Sequence, residues 1–294
     1  MKVLVTGASG QLGSEVVAEL RRRRDELIAA DMADFDLTDP AMVSAYLRET
    51  KPNAVIHCAA YTAVDKAETE PALCSAVNAG GTLNIVRACL ETDAKLLYVS
   101  TDYVFAGEGE APHSVNDQKN PRNVYGLSKL QGEEAIRSLM KRYFIVRTSW
   151  VYGANGQNFV KTIRRIAREK KEIRVVCDQV GSPTYAPDLA ALLVAMVHSN
   201  KYGIYHATGE GECSWADFAG AIIRESGLKC RVRRVTSAEY RTLARRPLNS
   251  RLSKDSLDEA GFPRLPAWED GLNRMLAELE TKEKDTGIDT SRAQ

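Results

Sequence analysis

Lys2-Val3-Leu4-Val5-Thr6 is a short run rich in β-formers, and Gly7-Ala8-Ser9-Gly10-Gln11-Leu12-Gly13 breaks it before an amphipathic stretch that reaches Arg23. Strand, glycine turn and helix in that order constrain the fold more than any other feature of the chain. Glycines there let the backbone approach a pyrophosphate, whose charge then meets free N–H groups at the helix N-terminus. The spacing Gly7, Gly10, Gly13 is one residue wider at its first gap than the common dinucleotide fingerprint. The bland alternative is a plain strand–helix turn. Glu26 to Asp31 reads as a second strand ending in an acid, about twenty residues past the turn, where a carboxylate meets adenosine ribose hydroxyls. Asp31 could otherwise be a loop or cap residue, and Arg21 to Arg24 reads as a solvated helix end, the alternative of a 2′-phosphate site being opposed by Asp31 nearby.

Strand and helix keep alternating. Asp39-Pro40 supplies an N-cap and a first-turn proline for a helix to about Thr50. Ala54 to Ala60 is a buried-type strand ending in small residues, and Glu70-Pro71 opens a helix expected to run through about Leu90. Lys95 to Ser100 and Tyr143 to Arg147 read as the fourth and fifth strands. This pattern predicts an α/β fold, a doubly wound parallel sheet of Rossmann type. Ligands in such sheets bind beyond the carboxyl ends of the strands. Ala59-Ala60-Tyr61, Ser100-Thr101-Asp102 and Thr148-Ser149-Trp150 all fall there. Residues 1–150 are therefore expected to form the dinucleotide-binding domain.

Past Trp150 the pattern loosens. Helices are expected near 159–168, 188–198, 215–226 and 268–280, with short strands at 173–176, 204–206 and 231–235. Residues 151–281 read mainly as a smaller substrate-binding lobe, with further sheet elements up to about 210. Lys282 to Gln294 is polar and lacks apolar periodicity, so it reads as a disordered tail.

In a helix, Tyr125 and Lys129 stand four apart and project from one face. A phenol has an ordinary pKa of about 10 and exchanges protons poorly at neutral pH. A nearby ammonium favours the phenolate and brings it toward the working range. The pair can therefore serve as an acid–base unit for an alcohol O–H, although the same spacing also occurs on solvated helix faces.

Forty basic and 39 acidic residues nearly cancel, which gives no reason to expect nucleic acid as a partner. Six cysteines are scattered without a CxxC pair, the usage of a reducing compartment. No apolar run approaches the roughly 18 residues of a membrane span. The chain is expected to be cytoplasmic.

Together Gly7-x-x-Gly10-x-x-Gly13, Thr101 and Tyr125-x-x-x-Lys129 resemble the extended short-chain dehydrogenase/reductases, which act mainly on nucleotide sugars. Finer blocks are similar to one branch, the dTDP-4-dehydrorhamnose reductases: Cys58 to Glu68, Ser100 to Phe105, Arg147 to Gly153, Asp178 to Thr184 and Arg246 to Leu252. The resemblance runs from Met1 to about Leu279. It implies hydride transfer from NADH or NADPH to the C4 ketone of a dTDP-linked deoxysugar, in dTDP-rhamnose biosynthesis.

Residue by residue, the resemblance makes Thr101, Tyr125 and Lys129 catalytic. Gly7, Gly10, Gln11, Leu12 and Gly13 would bind the cofactor, as would Asp31, Asp36, Leu37, Ala59, Ala60, Tyr61 and Thr62, with Tyr125 and Lys129. Thr101, Asp102, Tyr125 and Trp150 would touch the sugar nucleotide. His57 is expected in the core. Some relatives hold Mg²⁺ at a dimer interface with acidic side chains. Glu15 and Asp188 stand near the matching positions, but the acidic set looks incomplete, so no metal ligand is assigned and monomer and homodimer both stay open. Arg246 to Leu252 could close over a diphosphate, or be an ordinary charged loop.

Sugar-nucleotide dehydratases of this superfamily follow their Thr-Asp pair with Glu; here Tyr103 stands in that place, which argues against dehydration. Another nucleotide-sugar reductase or epimerase could use the same Thr, Tyr and Lys. A rival of a different class is a non-catalytic regulatory subunit like the β subunit of methionine adenosyltransferase, which keeps the cofactor site.

Overall fold

The computed structural model describes residues 1–285. Its first half runs β1 (Lys2–Thr6), α1 (Gln11–Arg22), β2 (Glu26–Ala30), α2 (Pro40–Thr50), β3 (Ala54–His57), α3 (Val64–Ala67), α4 (Pro71–Ser75), α5 (Thr82–Thr92), β4 (Lys95–Thr101), α6 (Val124–Leu139) and β5 (Tyr143–Thr148). These strands and Gly203–His206 form one six-stranded sheet, ordered Gly203–His206, β5, β4, β3, β1, β2. Every pairing in it is parallel. The chain winds one way from β1 to β2 and the other way from β3, so the switch point lies between β1 and β3.

Successive side chains of a strand point to opposite faces, and both faces here are covered. Val3 and Val5 of β1, with Ile56, Leu97 and Val146, pack against α1 and α8 (Ala186–Val197), after α7 (Phe159–Glu169) in chain order. Leu4, Val55, Leu96 and Ile145 pack on the other side against α2, α5 and α6. Double-sided burial explains why these strands read as continuous apolar runs. Burying each such side chain stabilises by about 1.5–3 kcal/mol.

A second core holds the later residues. Val160 and Ile163 of α7 pack with Phe218 and Ile222 of α9 (Trp215–Glu225), and with Trp268, Leu272 and Met275 of the Trp268–Asp285 helix. Glu172–Val176 pairs in parallel with Arg231–Val235 beside it. Of the strands after Trp150, only Gly203–His206 joins the main sheet among the described residues. Helix α8 also belongs to that sheet's core, so no single cut at residue 150 separates the two lobes.

Several sequence expectations need correction. The helix expected from Glu70 to Leu90 is interrupted: a π-helical stretch, Ala76–Gly81, stands between α4 and α5. Its cause is Asn78, buried and turned inward, which accepts from the Tyr61 N–H (2.8 Å) and donates to the Tyr61 carbonyl (3.1 Å) and Ser128 Oγ (3.0 Å). The extra residue in the turn lets that side chain point into the protein. Helix α8 begins at Ala186, two residues before the expected start, because Pro187 takes a first-turn position. The final helix continues to Asp285, past the expected start of the tail, and 286–294 lie outside the described residues. Among the described residues no helix is long and apolar enough to cross a membrane.

Candidate active site

A cavity of about 830 Å³ opens at the carboxyl ends of β1, β3, β4 and β5. Gly7, Gly10, Gln11, Leu12 and Gly13 form its floor at the start of α1. A Cβ built on Gly13 would overlap the Gly7 carbonyl, so only glycine lets the helix start so close to the strand. Gly10 is an extended N-cap with no side chain over the first turn, which leaves the turn's N–H groups open to an anion. Asp31, Asp36 and Leu37 line the cavity past β2. Asp31 Oδ2 accepts from the Ser9 N–H at 2.9 Å, which pins the carboxylate beside the glycine turn. Ala59, Ala60 and Thr62 line the cavity past β3. Tyr61 does not: its hydroxyl donates to Glu70 Oε2 at 2.7 Å. These residues fit an adenine dinucleotide, through an anion cradle and, beside it, a carboxylate for ribose hydroxyls.

Thr101, Asp102, Tyr125, Lys129 and Trp150 line the same cavity. Helix α6 delivers Tyr125 and Lys129. Asn123 caps it, accepting from the Gly126 N–H at 2.8 Å, while its amide donates to the Arg245 carbonyl at 2.9 Å. A Cβ on Gly126 would overlap the Tyr103 carbonyl, so this glycine lets the helix lie directly against the turn that follows β4. The Tyr103 ring meets Tyr125 edge-on at 5.6 Å.

Electrostatics depart from the simple ammonium–phenol pair. Lys129 is buried, with Nζ 3.9 Å from the centroid of the Tyr98 ring. Burial pulls its pKa down to about 7, opposed by the Glu133 carboxylate. The Tyr125 phenol is pushed above its ordinary value by burial and by Asp102, and a hydrogen bond with Thr101 works the other way. Tyr125 is therefore a neutral proton donor across the working range. Thr101 Oγ1 donates to Asp102 Oδ1 at 3.0 Å, while Asp102 Oδ2 is buried without a partner. Burial raises the Asp102 carboxyl to about 6.

His57 lies in the core, 2.6 Å from Thr6 Oγ1, and burial lowers it to about 3. Behind Thr101, Ser100 Oγ donates to Glu133 Oε1 at 2.6 Å, and Glu133 holds Arg147 through two bonds of 2.9 and 2.6 Å.

A family model described as RmlD substrate binding domain matches residues 1–281. The chain belongs to this family. It is 41% identical to the spore coat polysaccharide biosynthesis protein SpsK of Bacillus subtilis, over 94% of this chain and 97% of that one. It is 38% identical to the dTDP-4-dehydrorhamnose reductase of Sinorhizobium fredii, over 97% of this chain and 100% of that one. A crystal structure of the dTDP-4-dehydrorhamnose reductase of Bacillus anthracis in complex with NADP superposes with a TM-score of 0.92, at 42% identity over 95% of this chain and 100% of that one.

In this RmlD-family chain the Arg246–Leu252 segment divides. Arg246 lines the cavity, paired with Asp65 at 2.7 Å and receiving no help from Arg251, which turns away to Glu212 at 2.6 Å. The two groups named for a metal are engaged with neighbours: Asp188 by Arg274 (2.5 Å), and Glu15 by the Asn155 amide (2.9 Å). Among the described residues no group of three or more His, Cys, Asp or Glu side chains converges. The sequence reading missed Phe35, Asn158, Phe159 and Trp215 on the cavity wall. Only Asn158 carried a local signal, as the N-cap of α7.

Proposed function

We propose that the chain reduces the C4 ketone of dTDP-4-dehydro-L-rhamnose to dTDP-L-rhamnose, with NADH or NADPH as reductant. The observation that carries this is the meeting of the glycine turn with Thr101, Tyr125 and Lys129 on one cavity, in a chain whose near-full-length relatives include reductases of that name. When bound, the dihydronicotinamide supplies hydride to C4. Tyr125 gives its phenolic proton to the oxygen that gains charge. Thr101 turns its hydroxyl from Asp102 Oδ1 to donate to the same oxygen and orients it, a contact that is strongest when the charge is fullest. Lys129, one helical turn on, steadies the phenolate left behind and holds the cofactor ribose. All six cysteines are free thiols, which suits a cytoplasmic reaction.

The Lys129 charge gives this reading a pH signature. The ammonium is present below its pKa and lost above it, so kcat/KM should fall as pH rises through about 7. Initial rates across that range, with Lys129→Met as a low and flat control, check it. A rate that rises through the same range would count against Lys129 as the charged partner.

Asp31 should disfavour a 2′-phosphate and accept ribose hydroxyls, so NADH is used at least as well as NADPH. Asp31→Ala should shift the kcat/KM ratio toward NADPH by roughly tenfold, or 1.4 kcal/mol, the scale of one relieved repulsion near a surface. A strong NADPH preference unchanged by the substitution would overturn this role.

The reaction itself can be run backwards: dTDP-L-rhamnose with NAD⁺ or NADP⁺ should yield reduced cofactor, read by its absorbance. Cofactor binding without reduction would favour the regulatory alternative.

A further inference from the structure

Among the unassigned aromatics on the cavity wall, Trp215 stacks on Trp150. Their ring centroids are 3.7 Å apart with planes inclined by 14°, and Phe159 packs on Trp215 at 4.5 Å. All three rings line the cavity with Asp102 and Tyr125.

The stack is held from several sides. Trp150 has φ +50, a left-handed conformation that costs a bulky L-residue about 1–2 kcal/mol. Strain of this type persists where the surroundings over-determine it, and it clusters at ligand sites. Trp215 opens α9, where Ser214 and Asp217 form a capping box that fixes the first turn. Gly181 leaves room for the Trp150 indole, since a Cβ there would lie 3.1 Å from Trp150 Cε2. Trp150 follows β5 and Trp215 opens α9, and both pack against the second core, so one apolar surface stands beside the proton donor.

We infer that Trp150 and Trp215 together form the wall against which the apolar face of a 6-deoxy sugar lies, and that Trp215 is a specificity-determining residue. The inference rests on the reductase reading above. A C–H-rich ring face and a methyl group gain by covering an indole surface. A hydroxyl at C6 would lose water against that wall without gaining a partner, which rejects the hydroxylated analogue by roughly tenfold to a hundredfold.

Calorimetric titration of wild type, Trp215→Phe and Trp215→Ala with dTDP, dTDP-L-rhamnose and dTDP-L-mannose, its C6-hydroxylated analogue, tests this. In wild type, dTDP-L-rhamnose should also perturb the far-UV exciton couplet of the stacked indoles, while dTDP alone leaves it. Trp215→Ala should weaken dTDP-L-rhamnose by roughly tenfold and dTDP by less than about twofold, and bring the rhamnose and mannose nucleotides close to parity. Trp215→Phe should retain most of the discrimination. Equal losses for dTDP would assign the wall to the pyrimidine base, and unchanged affinities would leave the stack as packing alone; either overturns the inference. Wild type that binds none of the three nucleotides would sink the reductase reading itself, and this inference with it.

Discussion

Tyr125→Phe lowers turnover by roughly 10²-fold or more and leaves cofactor affinity within about twofold of wild type, the scale set by general acid catalysis. The substitution removes one oxygen from a ring whose position is set by its neighbours. Tyr103 meets the ring edge-on, and Asn123, Gly126 and Ser128 hold the helix that carries it. Burial keeps the Tyr125 phenol protonated, so phenylalanine loses a donor and not a charge. Single-turnover rates with NADH separate the chemical step from binding. Turnover near that of wild type would remove Tyr125 from the proton-donor role.

Arg147→Met lowers the free energy of unfolding by about 3–5 kcal/mol, the usual cost of leaving one partner of a buried ion pair alone. Arg147 is fully buried and Glu133 nearly so, 0% and 1% exposed. The guanidinium also donates to the Val115 carbonyl at 3.1 Å. A loss of that size is a large share of the 5–15 kcal/mol that holds an ordinary domain together. Glu133→Leu combined with Arg147→Met should recover much of it, because two apolar side chains leave no orphaned charge. Urea melts of the single and double variants measure both effects. A single-variant change below about 1 kcal/mol would mean that water or a rearranged neighbour satisfies Glu133. Since Glu133 also accepts from Ser100, next to Thr101, the single variant should lose activity as well.

Much of this was legible in the chain because it is local. The sheet strands read as apolar runs since both of their faces are buried, and Tyr125 and Lys129 share a helix face by spacing alone. Glycine at position 13 reports a backbone approach that no other residue permits. What stayed hidden depends on meetings across the fold. The π-helical turn exists because Asn78 reaches Tyr61 and Ser128, and nothing between Ala76 and Gly81 announces those partners. Trp215 looks like an ordinary first-turn aromatic until the second lobe brings it onto Trp150. The retreat of the Lys129 ammonium onto the Tyr98 ring was equally invisible, since it follows from burial and not from the four-residue spacing. Tyr61 shows the opposite error: it lies among cavity residues in sequence, yet Glu70 and Asn78 draw it aside.

The most direct measurement generates dTDP-4-dehydro-L-rhamnose in situ with a sugar-nucleotide dehydratase and epimerase, adds this protein with NADH or NADPH, and identifies the nucleotide sugar formed. The account predicts one equivalent of reduced cofactor consumed for each dTDP-L-rhamnose produced, with the L-rhamno configuration at C4. Consumption that yields the C4 epimer would contradict the proposed substrate geometry. No consumption and no rhamnosyl nucleotide, with cofactor binding intact, would contradict the proposed reaction.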